Sequence, residues 1–122
     1  MSEKRGILGQ TGEELATAYL QKAGYKIIIR NYRQKCGEID IIAEERGTLV
    51  FVEVKTRKNT SFGTPFAAVT EKKQRQIGRV AQVNLSRNNL FNRPARFDVI
   101  SILMDEDRQP VIELLPNAFD LR

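Results

Sequence analysis

The spacing of apolar and polar positions predicts two helices. Residues 11–23 form the first, because Thr11 and Glu14 have the spacing of a capping box and Gly24 supplies a stop signal. Its apolar stripe consists of Ala16, Tyr19, Leu20 and Ala23. Residues 66–86 form the second helix, where apolar side chains recur at helical intervals, at Ile77, Val80, Ala81 and Leu85.

The remaining pattern predicts five strands, over residues 26–33, 38–43, 48–56, 96–104 and 111–114. The third strand contains an unbroken apolar run at residues 49–52, so we expect it at the centre of a sheet that is covered on both faces. The order α-β-β-β-α-β-β predicts one mixed α/β domain over residues 1–122. Residues 1–8 are expected to form a flexible tail and residues 57–65 an exposed, mobile loop.

The charge and the cysteine content indicate the setting in which the protein works. The net charge of +5 favours an anionic partner, most often nucleic acid, although charge alone fits a basic protein without such a partner about equally well. The first residues lack the apolar segment of a secretory signal, and no apolar run approaches the roughly 20 residues of a membrane span. A single cysteine, Cys36, cannot form an internal disulfide. We therefore expect a cytoplasmic protein with no membrane contact.

The absence of histidine narrows the possible chemistry more than any other feature of the composition. Catalysis by Ser-His-Asp or Cys-His groups in their usual forms is excluded. A tetrahedral zinc site is nearly excluded as well, because there is only one cysteine. Carboxylates, lysines, hydroxyls and a hard metal ion remain as the means of any reaction.

Acidic side chains interrupt two of the apolar strands. Because side chains alternate across a strand, Glu38 and Asp40 share a face of the second strand. Glu53 and Lys55 share a face of the third strand for the same reason. If the two strands form a hairpin, both pairs can lie on one side of the sheet.

A charge within an apolar strand is unfavourable unless it is paired or bound to a metal. Two carboxylates about 4 Å apart repel by about 4 kcal/mol at an effective dielectric constant of 20, and a divalent cation removes that repulsion. Oxygen ligands favour Mg²⁺ or Mn²⁺ at Asp40 and Glu53, with Lys55 placed to orient or activate water. The structural alternative is a buried ion pair of Lys55 with Glu53 or Asp40. The upstream G-E-I-D segment favours the metal site.

The first helix brings a third carboxylate toward this site. Glu13 lies in line with Ala16 and Leu20, whereas Glu14 points away and serves as the capping-box acid. Glu13 is therefore a candidate metal ligand, either directly or through water. An ion pair with Lys55 is the alternative.

Candidate nucleic-acid-binding residues are the basic side chains near the predicted carboxylates, namely Arg33, Lys35, Arg57, Lys72, Lys73, Arg75 and Arg79. Lys72, Arg75 and Arg79 share one helix face with Gln76, which is either a solvated surface or a track for phosphates. Lys73 lies beside the apolar stripe and is expected to point toward the carboxylates. Phe62 either stacks on a base or anchors its loop in the core. Cys36, Tyr25 and Tyr32 are interpreted as bystanders.

Several of these segments recur in the YraN-like family of small bacterial proteins. The matches are G-x-x-G-E-x-x-A at residues 9–16, G-E-I-D at 37–40, F-V-E-V-K-T-R at 51–57, F-G-x-P at 62–65, Lys73, and R-F-D-V at 96–99. The chain resembles this family over residues 6–104. The family in turn resembles the restriction-endonuclease-like PD-(D/E)xK nuclease superfamily, near the archaeal Holliday-junction resolvases.

The resemblance implies a restriction-endonuclease-like core, with a central mixed sheet flanked by helices, and a Mg²⁺- or Mn²⁺-dependent nuclease. The residues that match the superfamily's metal-binding and catalytic positions are Glu13, Asp40, Glu53 and Lys55. The Lys73–Gln74 region matches a supporting position, and Ile39 stands where the superfamily motif has proline.

The implied substrate is nucleic acid, DNA in preference to RNA, with branched or damaged DNA as the expected form. A symmetric homodimer would suit a four-way junction. Two rival interpretations stay open at this point. One is a nucleic-acid-binding module without turnover, and the other is an interaction subunit whose charged core is structural.

Overall fold

The computed structural model describes residues 2–58, 69–90, 92–104 and 108–119, with side chains from residue 11 onward. Its elements are α1 (Ser2–Lys22), β1 (Lys26–Gln34), β2 (Gly37–Glu45), β3 (Thr48–Arg57), α2 (Glu71–Arg87), β4 (Ala95–Leu103) and β5 (Val111–Phe119). The order of helices and strands is the predicted one, in a single α/β domain.

The strands form one mixed sheet in the order β1-β2-β3-β4-β5. β1, β2 and β3 make an antiparallel meander. β3 then pairs in parallel with β4, which requires a crossover, and α2 provides it. β4 and β5 are antiparallel. β3 is therefore the central strand, and β2 and β3 are adjacent and antiparallel, as predicted.

Each face of the sheet is covered by one helix. On the face under α2, called the α2 face, Phe51 stacks on Phe97 with ring centroids 5.5 Å apart. On the opposite face, called the α1 face, Ala16 and Leu20 are fully buried in one cluster with Val52. Successive residues of β3 thus pack against different helices, which explains why its sequence is apolar at both alternating positions.

Both helices begin at residues other than the predicted ones. α1 begins at Ser2, so Thr11 lies inside the helix and the predicted capping box is wrong. The three-residue spacing that defines a capping box also occurs within any helix turn. The helix includes residues 2–8 of the expected tail, whose flexibility stays a prediction. α2 begins at Glu71, five residues later than predicted, because the Thr70 hydroxyl caps it by accepting the Lys73 N–H at 3.2 Å.

α1 packs closely on β3 at Gly12. A Cβ atom at this position would collide with Thr56 Oγ1, so a side chain there would push the helix away from the strand. Of the predicted apolar stripe, Ala16 and Leu20 are buried, but Tyr19 and Ala23 are exposed. The close approach at Gly12 places the next residue, Glu13, over the sheet.

β5 is longer than predicted because it continues through Pro116 to Phe119. Proline lacks a backbone donor and is tolerated on an edge strand, which β5 is. Residues 59–65 of the predicted loop, including Phe62, lie outside the described residues, whereas Arg57 ends β3. Neither helix, over the residues described, is both long and apolar enough to cross a membrane.

Candidate metal and nucleic-acid site

The site lies where the pairing between β2 and β3 stops. The last pair of that ladder joins Ile41 to Val52, and the next residue of β2 is Asp40. Asp40 Oδ2 accepts a hydrogen bond from the backbone N–H of Val54 at 2.7 Å. The carboxylate thus takes the place of the backbone carbonyl that would accept the Val54 N–H if the pairing of β2 with β3 continued. Asp40 is therefore fixed at the gap between the two strands.

Glu53 is the acidic neighbour of Asp40 and is buried, with only 6% of its surface exposed. Burial, and after it hydrogen bonding and charge repulsion from Glu53, raise the pKa of Asp40 to about 8. The Val54 N–H and the Lys73 ammonium act in the opposite direction and lower that pKa. The Asp40 carboxyl therefore resists ionisation near neutral pH, and a bound cation would relieve its repulsion from Glu53.

One carboxylate oxygen of Glu53 lacks a hydrogen-bond donor. Glu53 Oε2 is buried without a hydrogen-bond partner, and Lys73 Nζ on α2 reaches to 3.6 Å from it. In the described part of the chain no ion pair links Lys55 to Glu53 or Asp40, so the structural alternative to the predicted site is not observed, and the cation beside Glu53 is Lys73. Lys55 is half-buried and, by strand alternation, lies on the same side of β3 as Glu53.

Glu13 approaches Asp40 from α1. Its side chain is 16% exposed, whereas that of Glu14 is 66% exposed, so the predicted inward and outward directions are both observed. The Arg30 guanidinium on β1 contacts both carboxylates, at 3.6 Å from Glu13 Oε1 and 2.9 Å from Glu14 Oε1. Burial raises the pKa of Glu13 and the charge of Asp40 adds to this, while Arg30 and Asn31 lower it.

Glu13 is a neighbour of the carboxylate pair and is not a third close ligand. Among the described residues, no three His, Cys, Asp or Glu side chains are grouped closely enough to hold one ion. The contact with Arg30 is also incomplete, because Glu13 Oε1 and Arg30 Nε are both buried without a hydrogen bond. The alternative of an ion pair between Glu13 and Lys55 is not observed, since the partner of Glu13 is Arg30. A metal contact through water stays a prediction.

A cleft of about 460 Å³ opens from Asp40 toward the surface. The lining residues come from β1, β2 and α2, and are Arg33, Gln34, Gly37, Glu38, Asp40, Lys73 and Gln76. Gln76 lies so close to Gly37 that a Cβ atom there would be 2.8 Å from the Gln76 side chain. Arg33 donates a hydrogen bond to Glu38 at 2.9 Å. The cleft is therefore polar, with a lysine and an arginine beside the acidic residues.

The predicted nucleic-acid-binding residues fall into three groups. Arg33 and Lys73 line the cleft, and a second group, Lys35, Lys72, Arg75 and Arg79, is exposed outside the cleft lining. Arg57 is half-buried at the end of β3 and takes part in an interaction there. The predicted shared face of α2 is divided in the structure, because Gln76 turns into the cleft and Lys72, Arg75 and Arg79 remain outside.

A second buried polar cluster, on the α1 face, was missed by sequence reasoning. Asp98 is fully buried and accepts hydrogen bonds from Tyr25 Oη at 2.9 Å, from Arg96 Nε at 3.0 Å and from the Asn117 N–H at 2.9 Å. Arg96 also donates to Glu45 at 2.7 Å. Burial and then the Asp98 carboxylate raise the pKa of Tyr25 to about 12, so Tyr25 is no bystander. The signal was the Arg96–Asp98 pair, two residues apart in an apolar strand.

The two acidic sites differ in how far their oxygens are satisfied. Both oxygens of Asp98 accept hydrogen bonds, so that cluster is a structural link between Tyr25, which precedes β1, and the strands β4 and β5. Glu53 Oε2 has no such donor. A carboxylate pair with an unsatisfied oxygen fits Mg²⁺ or Mn²⁺, since Mg²⁺ keeps several of its waters and takes one or two protein carboxylates. Asp40 and Glu53 are the side chains that would hold the ion.

The fold and these side chains together define a mixed α/β protein with a buried carboxylate pair at a break in the sheet. The chain belongs to the family described as "Uncharacterised protein family UPF0102", whose model matches residues 12–102. The resemblance to the YraN-like family is thus confirmed at the level of the family.

Similar proteins match nearly the whole chain. A "UPF0102 protein" of Geotalea daltonii is 53% identical over 114 residues, covering 93% of this chain and 90% of its own length. One from Geobacter sulfurreducens is 49% identical over 120 residues, covering 98% and 94%. One from Trichlorobacter lovleyi is 49% identical over 115 residues, covering 93% and 91%. The described fold therefore corresponds to almost the full length of these relatives.

Proposed function

We propose that the protein is a Mg²⁺- or Mn²⁺-dependent phosphodiesterase that acts on nucleic acid, with branched or damaged DNA as the preferred substrate. The observation that carries the proposal is the pairing of the half-buried Asp40 with the buried Glu53, whose Oε2 has no hydrogen-bond partner. A protein that only binds nucleic acid has no need of two mutually repelling carboxylates that are withdrawn from water, because this placement is unfavourable. The resemblance to the PD-(D/E)xK nucleases supports the same function.

The residues around the pair suggest distinct roles. A divalent ion held by Asp40 and Glu53 would supply Lewis-acid stabilisation to a phosphate. Lys55, whose ammonium is not tied to either carboxylate, is placed on the side of Glu53 to orient the attacking water or to stabilise charge on the phosphate. Lys73 neutralises Glu53 and borders the cleft, so it is placed to contact an incoming phosphate.

The exposed cations give the substrate a path to the cleft. Arg33 lies at the cleft on β1, and Lys72, Arg75 and Arg79 lie outside it on α2. Arg33 is engaged by Glu38, which fixes its position but leaves most of the side chain exposed. Such cations attract phosphates without regard to base sequence, which suits a substrate recognised by its shape.

The test is a cleavage assay with Mn²⁺ on a panel of four-way, nicked, flap and single-stranded substrates, each as DNA and as RNA. Asp40→Asn and Glu53→Gln should each reduce cleavage at least 10–100-fold, the usual effect of disturbing even the residues behind metal ligands. Glu44→Gln is the matched control on the same strand, because Glu44 pairs with Arg93 and neither residue lines the cleft, and it should retain most activity. Cleavage by the wild-type protein that persists in Glu53→Gln would place the reaction elsewhere.

The rival function, nucleic-acid binding without turnover, is favoured by one observation. No third carboxylate is grouped with the pair in the described residues. The same panel separates the two functions, because a binding module would retain the substrates in a salt-dependent manner and leave all of them intact in Mn²⁺. An interaction subunit would show neither cleavage nor salt-dependent binding.

A further inference from the structure

Asn31 has an unusual backbone conformation in the middle of β1. Its φ angle is +56°, in the left-handed region, although the residue lies within a nine-residue strand. Non-glycine residues rarely adopt this conformation, and asparagine is among the few that tolerate it. A conformation of this kind persists only where the surroundings hold it, and it is frequent at functional sites.

The register places Asn31 in one row with the two carboxylates. The β1–β2 pairs on either side are Arg30–Ile41 and Tyr32–Ile39, so Asn31 stands opposite Asp40, and these two are not paired. The β2–β3 ladder ends at Ile41–Val52, so the next position opposite Asp40 is Glu53, again without a pair. Asn31, Asp40 and Glu53 therefore occupy one row across three strands, at which regular pairing is interrupted.

The side chains change faces at this row. Tyr32 and Ile39 pack on the α2 face, whereas Ile41 packs on the α1 face. Arg30, the partner of Ile41, reaches Glu13 of α1. Residues two apart in a regular strand share a face, so the alternation is broken in both strands, at Asn31 and at Asp40. The break lets Asp40 meet Glu13 on one side of the sheet and Glu53 on the other.

From this position the Asn31 side chain influences the pKa of Glu13. Burial and the charge of Asp40 raise the pKa of Glu13, whereas the neighbouring polar side chains of Arg30 and Asn31 lower it. Glu13 Oε1 lacks a hydrogen bond, so the contacts that hold this carboxylate are few. Loss of the amide would leave Arg30 as the main restraint, and Arg30 is shared with Glu14.

We propose that Asn31 is a positioning residue of the candidate site. Its left-handed backbone opens the row at which Asp40 lies, and its amide group holds Glu13 beside Asp40. The inference rests on the proposed function, because it assigns Asn31 to the site that would hold the divalent ion. Asn31 touches neither the ion nor the phosphate in this scheme and acts through Glu13.

Two substitutions separate the backbone from the side chain. Asn31→Gly keeps the left-handed conformation and removes the amide, while Asn31→Ala removes the amide and strains the backbone. Asn89→Gly is the matched control, because Asn89 also has a positive φ, of +55°, and lies beyond α2. Calorimetric titration with Mn²⁺ and thermal melts in chelator are measured for the wild type and all three variants.

Both Asn31 variants should bind Mn²⁺ about 10-fold more weakly than the wild type, the lower end of the usual cost of a change around the metal ligands, because Glu13 would contact the ion through water and not directly. Only Asn31→Ala should also melt at a lower temperature, and Asn89→Gly should bind Mn²⁺ normally. A wild type that binds Mn²⁺ and an Asn31→Gly variant that binds it equally well overturn this inference alone. A wild type that binds no Mn²⁺ overturns it together with the proposed metal site.

Discussion

At the scale of single residues, Asp40 serves two functions that conflict. Its carboxylate accepts a hydrogen bond from the Val54 N–H where the pairing of β2 with β3 ends. The same carboxylate lies next to Glu53, which repels its negative charge. The sequence predicts this closeness, because alternation and the hairpin fix which side chains meet. It does not predict that Glu13 pairs with Arg30, since that contact depends on how α1 lies across β1. It also misses Asp98, whose partners include Tyr25 before β1 and Asn117 on β5, both far from it in the sequence.

The contribution of Asp40 to the stability of the wild type should depend on pH in a direction opposite to that of an ordinary paired carboxylate. The pKa of Asp40 is near 8 in the folded protein and near 4 in the unfolded chain, so the unfolded state loses its proton first. Stability contributed by this group therefore falls as pH rises from about 4 to about 8. Asparagine can still accept the Val54 N–H and carries no charge.

In chelator, Asp40→Asn should be more stable than the wild type near pH 8, and the difference should shrink toward pH 4. Thermal melts over this pH range measure it. Glu38→Gln, which alters an acid that is already paired at the surface, should show no such trend. A large destabilisation of Asp40→Asn at every pH would mean that the carboxylate is a structural partner whose charge the fold requires.

The Asp98 cluster should prove structural. Tyr25→Phe removes a buried hydroxyl that donates to Asp98 and accepts from Arg96, and this should lower the free energy of unfolding by about 1–3 kcal/mol. Mn²⁺ affinity should stay at the wild-type value, because the cluster has no contact with Glu53. Urea denaturation and calorimetry make the two measurements, with Tyr32→Phe on the α2 face as control. Weakened Mn²⁺ binding in Tyr25→Phe would link the two buried acidic sites.

At the scale of elements, the helix α2 joins the core, the cleft and the outer surface. Ile77, Val80 and Ala81 bury one side, which their spacing predicts. Lys73 and Gln76 border the cleft. The apolar spacing only partly predicts which polar residues face the cleft, because the position of Gln76 depends on its packing against Gly37. The start of the helix was misplaced because residues before Thr70 have helix-forming side chains, whereas the hydroxyl cap decides where the helix begins.

Replacing Lys72, Arg75 and Arg79 with alanine should flatten the salt dependence of nucleic-acid binding. Each phosphate contact that is lost reduces the slope of log affinity against log salt by about 0.7–0.9. Fluorescence anisotropy at several salt concentrations measures this slope. The matched control replaces Lys22, Lys26 and Arg87, three exposed cations away from the cleft, and makes the same change in net charge. Equal slopes for the two triple variants would show that the outer face of α2 is only solvated.

At the scale of the whole molecule, the order of elements and the central place of β3 follow from the apolar pattern. A strand that is apolar on both faces needs a layer on each side, and two helices supply them. What the pattern does not contain is the row at which pairing is interrupted. That row arises from the backbone of Asn31 and Asp40, and no periodicity in the sequence marks it.

Mn²⁺ should stabilise the entire domain if the site binds it. A ligand that binds only the folded state adds about 2.7 kcal/mol to the unfolding free energy at a concentration 100 times its dissociation constant. The wild type should therefore melt at a higher temperature in Mn²⁺ than in chelator. Glu53→Gln should melt at the same temperature in both, and an equal rise in that variant would show that the ion binds at some other site.

The parallel pairing of β3 with β4 has a consequence for the order of assembly. β1, β2 and β3 are contiguous in the chain and can associate as hairpins within about 1–10 μs. β4 pairs with β3 later, because parallel pairing requires the long segment that contains α2 to cross over first. Asp40 and Glu53 thus meet in a young hairpin before Lys73 can arrive as a counter-charge. Refolding of the wild type should then slow as the pH rises, because the two carboxylates repel each other in this hairpin. A divalent cation in solution would relieve this repulsion during folding, before the protein meets any substrate.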